Sequence, residues 1–493
     1  MLLSILAEAA KEYFIDIDGD CQIKALSQDS REKNDDALFF CVRGSRFDAH
    51  DFAEDAVKNG AVALVVEKKL TNINVPQVLV SDVRAAMGLM ASKFFGNPAS
   101  KLKLVGITGT KGKTTTSYFI KSILDAAGIK NGVIGTTGGI VGDEKIEAKL
   151  TTPDPIDLHR MLSYMLQMGA EVVCMEVSAH AIDMKRVMGV QFEAACYTNL
   201  SQDHLDYFDD MQSYFEAKKR FVLSEQVKNL AINADDETSE AIMAELRIPY
   251  SSYGISANAD IFARDIEIND EGVSFTLSLW NEQWYPVHIN MMGTFNVYNS
   301  LAATAISLIL GIKPEFIVKG IENVRVVPGR AEVLETSTPY KVIVDYSHSP
   351  AALENILRAV KSFTKHNLIL LFGCGGDRDH QKRPIMGSIA GKFADFTIIT
   401  SDNPRTEEPM KIISEIEEGI KSTDGKYILI ENRREAIRHA LDISQEGDVV
   451  ILAGKGDETY QEIQGQKYIF NEKNIVSEIL YEKKQSKQVS GNA

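Results

Sequence analysis

Cysteine is scarce in this chain: five residues in 493, Cys21, Cys41, Cys174, Cys196 and Cys374, with no C-x-x-C pair among them. That spacing offers neither a disulfide framework nor a cysteine zinc site, and it fits a reducing compartment. Cys174 lies inside an apolar run, so we expect a buried small hydrophobe rather than a nucleophile. No apolar stretch is long enough to span a bilayer. The first residues, Met1 to Glu8, carry no base and soon turn charged, which is not the pattern of a signal peptide. Positive charge is in deficit: 53 Lys and Arg face 69 Asp and Glu, a net charge of -16. Such a surface repels nucleic acid and anionic membranes, so a phosphate ligand would need a local basic site. The expectation is a cytoplasmic protein with no nucleic-acid partner and no membrane insertion.

What is present is a 44% hydrophobic, 25% charged chain, too long for one ordinary core. Composition divides it into three blocks, which we expect to be domains: 1–100, 101–330 and 331–493. The first alternates short apolar runs (37–42, 61–66, 77–80) with helical patterns and ends in the turn-rich Phe95-Gly96-Asn97-Pro98. The second opens with a strand over 102–108, a glycine loop and a helix from about Lys113. It carries a strand meander over 260–290 that holds both tryptophans, Trp280 and Trp284. The third repeats strand and helix, with strands at 341–344, 367–372, 396–400, 427–430 and 448–452. This alternation predicts a parallel, doubly wound sheet. The tail after about Lys483 reads as disordered.

The sharpest motif is Gly106-Ile107-Thr108-Gly109-Thr110-Lys111-Gly112-Lys113-Thr114-Thr115. A strand running into glycines and then a helix aims backbone N–H groups and a helix N-terminus at one point, which suits phosphate. Lys113 would neutralise the β- and γ-phosphates, and the Thr114 hydroxyl would ligate Mg²⁺. Downstream, Glu176 closes an apolar strand, where a carboxylate is costly without charged partners. It is read as a second Mg²⁺ ligand, against the plainer reading of a strand-end glutamate facing water. His204, in Thr198-Asn199-Leu200-Ser201-Gln202-Asp203-His204-Leu205-Asp206-Tyr207, is a candidate neutral-imidazole ligand, although a lone histidine is more often structural. Ala217-Lys218-Lys219-Arg220 reads as a basic helix face; nothing in its chemistry singles out Lys218.

Together the phosphate loop, Glu176-Val177-Ser178-Ala179-His180, the His204 motif and Asp345-Tyr346-Ser347-His348-Ser349-Pro350 resemble the successive signatures of the Mur ligase family, in the family's order and along the whole chain. Thr151-Thr152-Pro153-Asp154-Pro155, Gly375-Gly376-Asp377-Arg378-Asp379, Ser401-Asp402-Asn403-Pro404-Arg405 and Gly454-Lys455-Gly456-Asp457-Glu458 resemble the members that add a diamino acid. The resemblance implies an α/β protein of three domains: an N-terminal UDP-binding domain, a central P-loop ATPase-like domain and a C-terminal Rossmann-like domain. It implies an ATP-dependent ligase that joins meso-2,6-diaminopimelate to UDP-N-acetylmuramoyl-L-alanyl-D-glutamate through an acyl phosphate.

By the same resemblance, Ser30, Ser45, Arg46 and Phe47 would hold the UDP end, and Thr151, Thr152, Ser178 and Arg186 the muramoyl dipeptide. ATP would meet Gly109, Thr110, Lys111, Gly112, Lys113, Thr114, Thr115, Asn296, Asn299, Arg330 and Asp345. Lys113, Glu176, His204 and Lys218 would be catalytic, with Lys218 carbamylated to become a Mg²⁺ ligand beside Thr114, Glu176 and His204. The amino acid would meet Arg378, Asp402, Asn403, Pro404, Arg405, Gly454 and Glu458. A monomer acting only on small molecules is implied.

Some positions depart from the family pattern. Lys111 stands for the usual Asn, Ala179 for a second Ser, Met184 for a substrate-binding Gln, and Asp457 for the His of Gly-Lys-Gly-His-Glu. Three alternatives stay open on sequence: the same ligation with lysine or another diamine, a folylpolyglutamate synthase-like ligase, and a catalytically dead nucleotide-binding regulator.

Overall fold

The computed structural model describes residues 1–44, 47–256, 258–269, 271–280 and 282–491, with side chains through Gln485. Three large sheets follow one another along the chain. The first has five strands, with Ala25–Ser27, Ala37–Phe40, Ala61–Val66 and Gln77–Val80 parallel, and Phe14–Ile17 antiparallel at one edge. The second has eleven. Its parallel centre places Lys103–Thr108 between Val172–Glu176 and Ala194–Tyr197. The meander predicted over 260–290 is the antiparallel wing Ile261–Ile268, Val273–Leu279 and Gln283–Ile289.

The third sheet has six strands. Lys341–Asp345, Val449–Ala453, Leu368–Phe372, Phe396–Ile399 and Tyr427–Leu429 run parallel in that spatial order, and the short Glu332–Val333 is added antiparallel. Its strands are continuous apolar runs because both faces are covered. Leu368, Leu370 and Phe372 pack on one side with Leu353, Ile356, Ile413 and Ile416. Ile369 and Leu371 point the other way, into a core with Ile437, Leu441, Val476 and Ile479. The alternation repeats in the second sheet, where Val105 and Ile107 face one core and Leu104 the other. The family's α/β architecture and the doubly wound third sheet are therefore as expected.

Local chemistry sets the elements that carry functional groups. The helix Met211–Val222, which bears Lys218, starts at Asp210: its carboxylate accepts from the Ser213 N–H while the Ser213 hydroxyl faces the Asp210 backbone, a capping box. The helix Lys113–Ala126 begins directly at the phosphate loop, behind a left-handed Gly112. Gly109 has φ +140°, and a Cβ there would lie 1.9 Å from the Thr198 hydroxyl, so only glycine fits.

The tail differs from expectation. The last helix runs Glu472–Gly491 rather than ending near Lys483. Its first turns are anchored by the buried Glu472–Arg433 pair, by Arg434–Glu478 and Arg438–Glu482, and by Lys483 donating to the Leu441 carbonyl. The residues beyond are mostly Lys, Gln and Ser, whose propensities let an anchored helix propagate. Polarity alone was a poor guide to order here.

Candidate functional site

The second and third sheets meet at a cavity of about 910 Å³. Thr110, Lys111, Gly112, Lys113, Thr114 and Thr115 line it, with Thr151, Thr152, Glu176, Ser178, Arg186, His204, Asn299, Arg330, Asp345 and Arg378. Residues nominated for three different ligands thus face one space. The parallel strands place their C-terminal ends there, where open α/β sheets bind ligands.

The phosphate loop is braced from within. Lys113 Nζ donates to the carbonyls of Gly109 and Thr110 at 2.9 and 3.0 Å, and burial pulls its ammonium down to about 8. Thr114 Oγ1 donates to Glu176 Oε1 at 2.9 Å and accepts from Arg330 Nη2 at 3.0 Å. Glu176 also accepts from the Thr136 N–H and hydroxyl, at 2.9 and 3.2 Å. Thr136 was not nominated; its Gly135-Thr136-Thr137 stretch carries no sequence signal. Asn296 is fully buried and does not line the cavity. It donates to the Met292 carbonyl and accepts from Asn299, so it holds the residue that does face the cavity. Asp345 accepts from the Ala331 N–H, the Ser347 N–H and the Ser347 hydroxyl, fixing the chain crossing between the two sheets.

Behind the loop lies a small aromatic cage. Lys218 is 1% exposed. Its Nζ sits 3.7 Å from the Tyr214 ring centroid, and no hydrogen bond or ion pair reaches it among the described residues. Burial, with Lys113 nearby, pushes its pKa well below the ordinary lysine value. The Tyr214 hydroxyl lies 3.2 Å from Thr110 Oγ1, tying the cage to the loop. His204 has a left-handed backbone, φ 58°. Burial holds its imidazole down to about 3, so the ring is neutral at pH 7. Its ring packs edge-on to His180, centroids 4.8 Å apart.

Among the described residues no cluster of three or more His, Cys, Asp or Glu could cage a metal. Mg²⁺ is commonly held by one or two carboxylates together with waters and substrate phosphates. The hydroxyl and carboxylate oxygens of Thr114 and Glu176 are hard donors of that kind.

Lys111 turns out not to be a free charge. Its Nζ reaches Asp203 Oδ2 at 2.9 Å, and its N–H donates to Asn199 Oδ1. His348, from the third block, lies 3.7 Å from the same carboxylate. Other links across the two blocks are Arg378–Asp206 at 3.1 Å and Arg330 on Thr114.

On the first-block side, Arg186 Nε approaches Asp154 Oδ1 at 2.8 Å, an ion pair without hydrogen-bond alignment. Asp154 Oδ2 accepts from Gln28 at 3.1 Å. Met184 takes up the other side of Arg186, its sulfur 3.4 Å from Nη2. The Ser30 carbonyl accepts from Asn59, and Phe47 is 71% exposed. Neither lines the cavity. Ser45 and Arg46 lie outside the described residues.

The other residues nominated for the amino acid form a second cluster beside the cavity. Asn403 donates to Glu458 at 2.8 Å, and the buried Lys455 donates to both. Gly454, φ +113°, closes over Asp402. Pro404 is buried beside Gly376. Arg405 donates to the Gly376 carbonyl at 2.7 Å. Asp457 is a surprise: its charged neighbours are Arg330, Lys473 and Glu176, so it faces the phosphate end.

Family models describe residues 22–95 as "Mur ligase family, catalytic domain", 107–307 as "Mur ligase middle domain" and 329–456 as "Mur ligase, glutamate ligase domain". The chain belongs to the Mur ligase family. A Clostridium acetobutylicum Mur ligase, UDP-N-acetylmuramoyl-L-alanyl-D-glutamate–2,6-diaminopimelate ligase 1, is 44% identical over 94% of this chain and 95% of its own length. The Geobacillus thermodenitrificans ligase of the same name is 43% identical, with the same coverage. A solved Mur ligase structure bearing that name is 31% identical, covers 95% of this chain and 97% of its own, and superposes with a TM-score of 0.67.

Proposed function

We propose that this chain is the ATP-dependent ligase that adds meso-2,6-diaminopimelate to UDP-N-acetylmuramoyl-L-alanyl-D-glutamate in peptidoglycan precursor synthesis. The observation that carries this reading is the shared cavity: the phosphate loop, the residues nominated for the muramoyl dipeptide and Arg378 all open into it.

In this reading ATP lies with its phosphates over the loop, held by Lys113, and its nucleoside end toward Asn299 and Asp345. Arg186, Thr151, Thr152 and Ser178 hold the dipeptide so that the D-glutamate γ-carboxylate meets the γ-phosphorus. Attack forms the acyl phosphate and releases ADP. The amine of diaminopimelate then attacks the acyl carbon, losing a proton, and inorganic phosphate leaves. Lys113 and Arg330 offset the negative charge that gathers during phosphoryl transfer. Bringing three substrates together from separate parts of the chain supplies much of the rate.

Mg²⁺ fits this site: Thr114, Glu176, His204 and a carbamylated Lys218 would hold it, and it would screen the phosphate charge. Burial favours the uncharged Lys218 amine, the form that adds to CO₂, and the carbamate would be a metal-binding anion. The division into domains 1–100, 101–330 and 331–493, a monomeric state and a cytoplasmic location complete the proposal.

Phosphate release by the purified chain should require ATP, the UDP-muramoyl dipeptide and diaminopimelate together. Replacing diaminopimelate by lysine should lower kcat/KM by at least roughly tenfold, the value of one charged hydrogen bond. Equal turnover with lysine, or ATP turnover indifferent to the UDP substrate, would overturn the reading.

A further inference from the structure

The hairpin Tyr460–Ile463 and Gln466–Ile469 lies outside the large sheets, and besides its own pairing it makes one isolated parallel bridge, Ile463 to Arg405. Its first strand is laid along the loop from Asp402 to Thr406. Gln461 donates to the Asp402 carbonyl at 2.6 Å, and the Glu462 N–H donates to Asn403 Oδ1 at 3.0 Å. Arg405 N–H donates to the Glu462 carbonyl at 3.0 Å, and Gln464 N–H to the Arg405 carbonyl at 2.7 Å. Gln464 also donates from its side chain to the Thr406 carbonyl.

Arg405 needs this support. Its φ is +51°, a left-handed backbone that an arginine holds only when its surroundings impose it. With both backbone polar groups taken by the hairpin, the side chain leaves in one direction. Gly376 accepts from Nη1 at 2.7 Å, and Glu462 Oε2 lies 3.4 Å from Nε. Among the described residues Nη2 has no acceptor. The guanidinium plane is therefore oriented from two sides, and one end is left for a ligand.

We propose that Glu462 is a positioning residue for amino-acid selection: its carboxylate turns the Arg405 guanidinium so that the Nη2 end is presented to the distal carboxylate of the incoming diamino acid. This rests on the reading of Arg405 given above. A planar fork grips a carboxylate only when its plane is correctly set, so orientation translates into affinity. The Arg405 and Glu462 side chains are 23% and 26% exposed, so solvent screens their attraction. The orienting effect is correspondingly modest.

Four variants test this in steady-state ligation. Glu462→Ala should raise KM for diaminopimelate by roughly three- to tenfold, leaving kcat and KM for ATP near wild type; tenfold corresponds to about 1.4 kcal/mol. Rates with lysine, which lacks the distal carboxylate, should not change, so the preference for diaminopimelate falls. Glu462→Asp keeps the carboxylate beside Nε and should restore part of the affinity. Should the alanine variant fold poorly, Glu462→Met keeps the bulk without the acceptor and should behave as predicted for alanine. Arg405→Ala separates the two levels of the argument. If it raises KM while Glu462→Ala does not, the positioning role is wrong and the pocket stands. If Arg405→Ala is itself silent, the pocket reading fails. Equal damage from Ala and Asp at Glu462 would also refute orientation by the carboxylate.

Discussion

Lys111 departs from its family's usual asparagine, and the structure gives that departure a cost that can be measured. Asp203 is 8% exposed and Lys111 27%, with Nζ and Oδ2 2.9 Å apart. Replacing Lys111 by Met leaves His348, at 3.7 Å, as the remaining ion-pair contact of the Asp203 carboxylate among the described residues. Burial, and after it the Lys111 charge, lower the His348 pKa. Breaking a fully buried pair costs about 3–5 kcal/mol, and an exposed pair about 0.2–1 kcal/mol. With one partner a quarter exposed, about 2 kcal/mol is expected for Lys111→Met. Asp203→Asn should cost less, about 1 kcal/mol, because Lys111 can reach water. The double variant should lose less than the sum, with a coupling of about 1 kcal/mol. Urea unfolding followed by tryptophan fluorescence suits this cycle, since Trp280 and Trp284 both lie in the second block. Lys111 helps hold the Asp203 carboxyl well below its ordinary value. The coupling should therefore be full at neutral pH and fade as pH falls below the usual carboxylate range. Additive single effects at pH 7 would refute the pairing.

Lys218→Ala should abolish ligation, and acetate or formate at high concentration should restore part of it by standing in for the carbamate; near-normal activity without added carboxylate would remove Lys218 from the site. Lys113→Ala should abolish ATP-dependent phosphate release while leaving the fold intact by circular dichroism, because its ammonium reaches only loop carbonyls within the protein. His159 is fully buried and held to about 4 by burial, against an ordinary 6.5. The unfolded chain binds its proton first, so stability falls as pH drops from about 6.5 toward 4, by about 3 kcal/mol from this residue. His159→Phe should flatten that part of the stability curve; an unchanged slope would mean the ring is protonated in the fold.

The parts legible from sequence are those written locally. Leu368 to Phe372 announces a strand buried on both faces because every residue is apolar, and the phosphate loop announces itself by glycines between a strand and a helix. The diamino-acid signatures could be placed at strand ends from order alone. What escaped was pairing across the chain. Nothing near Lys218 foretells that Tyr214 and the phosphate loop will bury it, and it entered the candidate set by resemblance only. Thr136 reaches Glu176, and Glu462 reaches Arg405, through contacts whose partners lie 40 and 57 positions away. Asp457 was placed with its motif neighbour Glu458, but successive loop residues point apart, and it faces Arg330 instead. The helical continuation past Lys483 was missed because the helix is anchored upstream by salt bridges to Arg434 and Arg438, which the tail's own composition does not reveal.

The central claim is that this chain makes one particular amide bond, and product identity tests it most directly. The purified protein would be given ATP, Mg²⁺, the UDP-muramoyl dipeptide and equimolar meso-diaminopimelate and L-lysine, and the product examined by mass spectrometry. The account predicts a UDP-muramoyl tripeptide carrying diaminopimelate, with ADP and phosphate released in equal amount. A lysine-containing product in comparable yield, or ATP hydrolysis with no tripeptide, would contradict it.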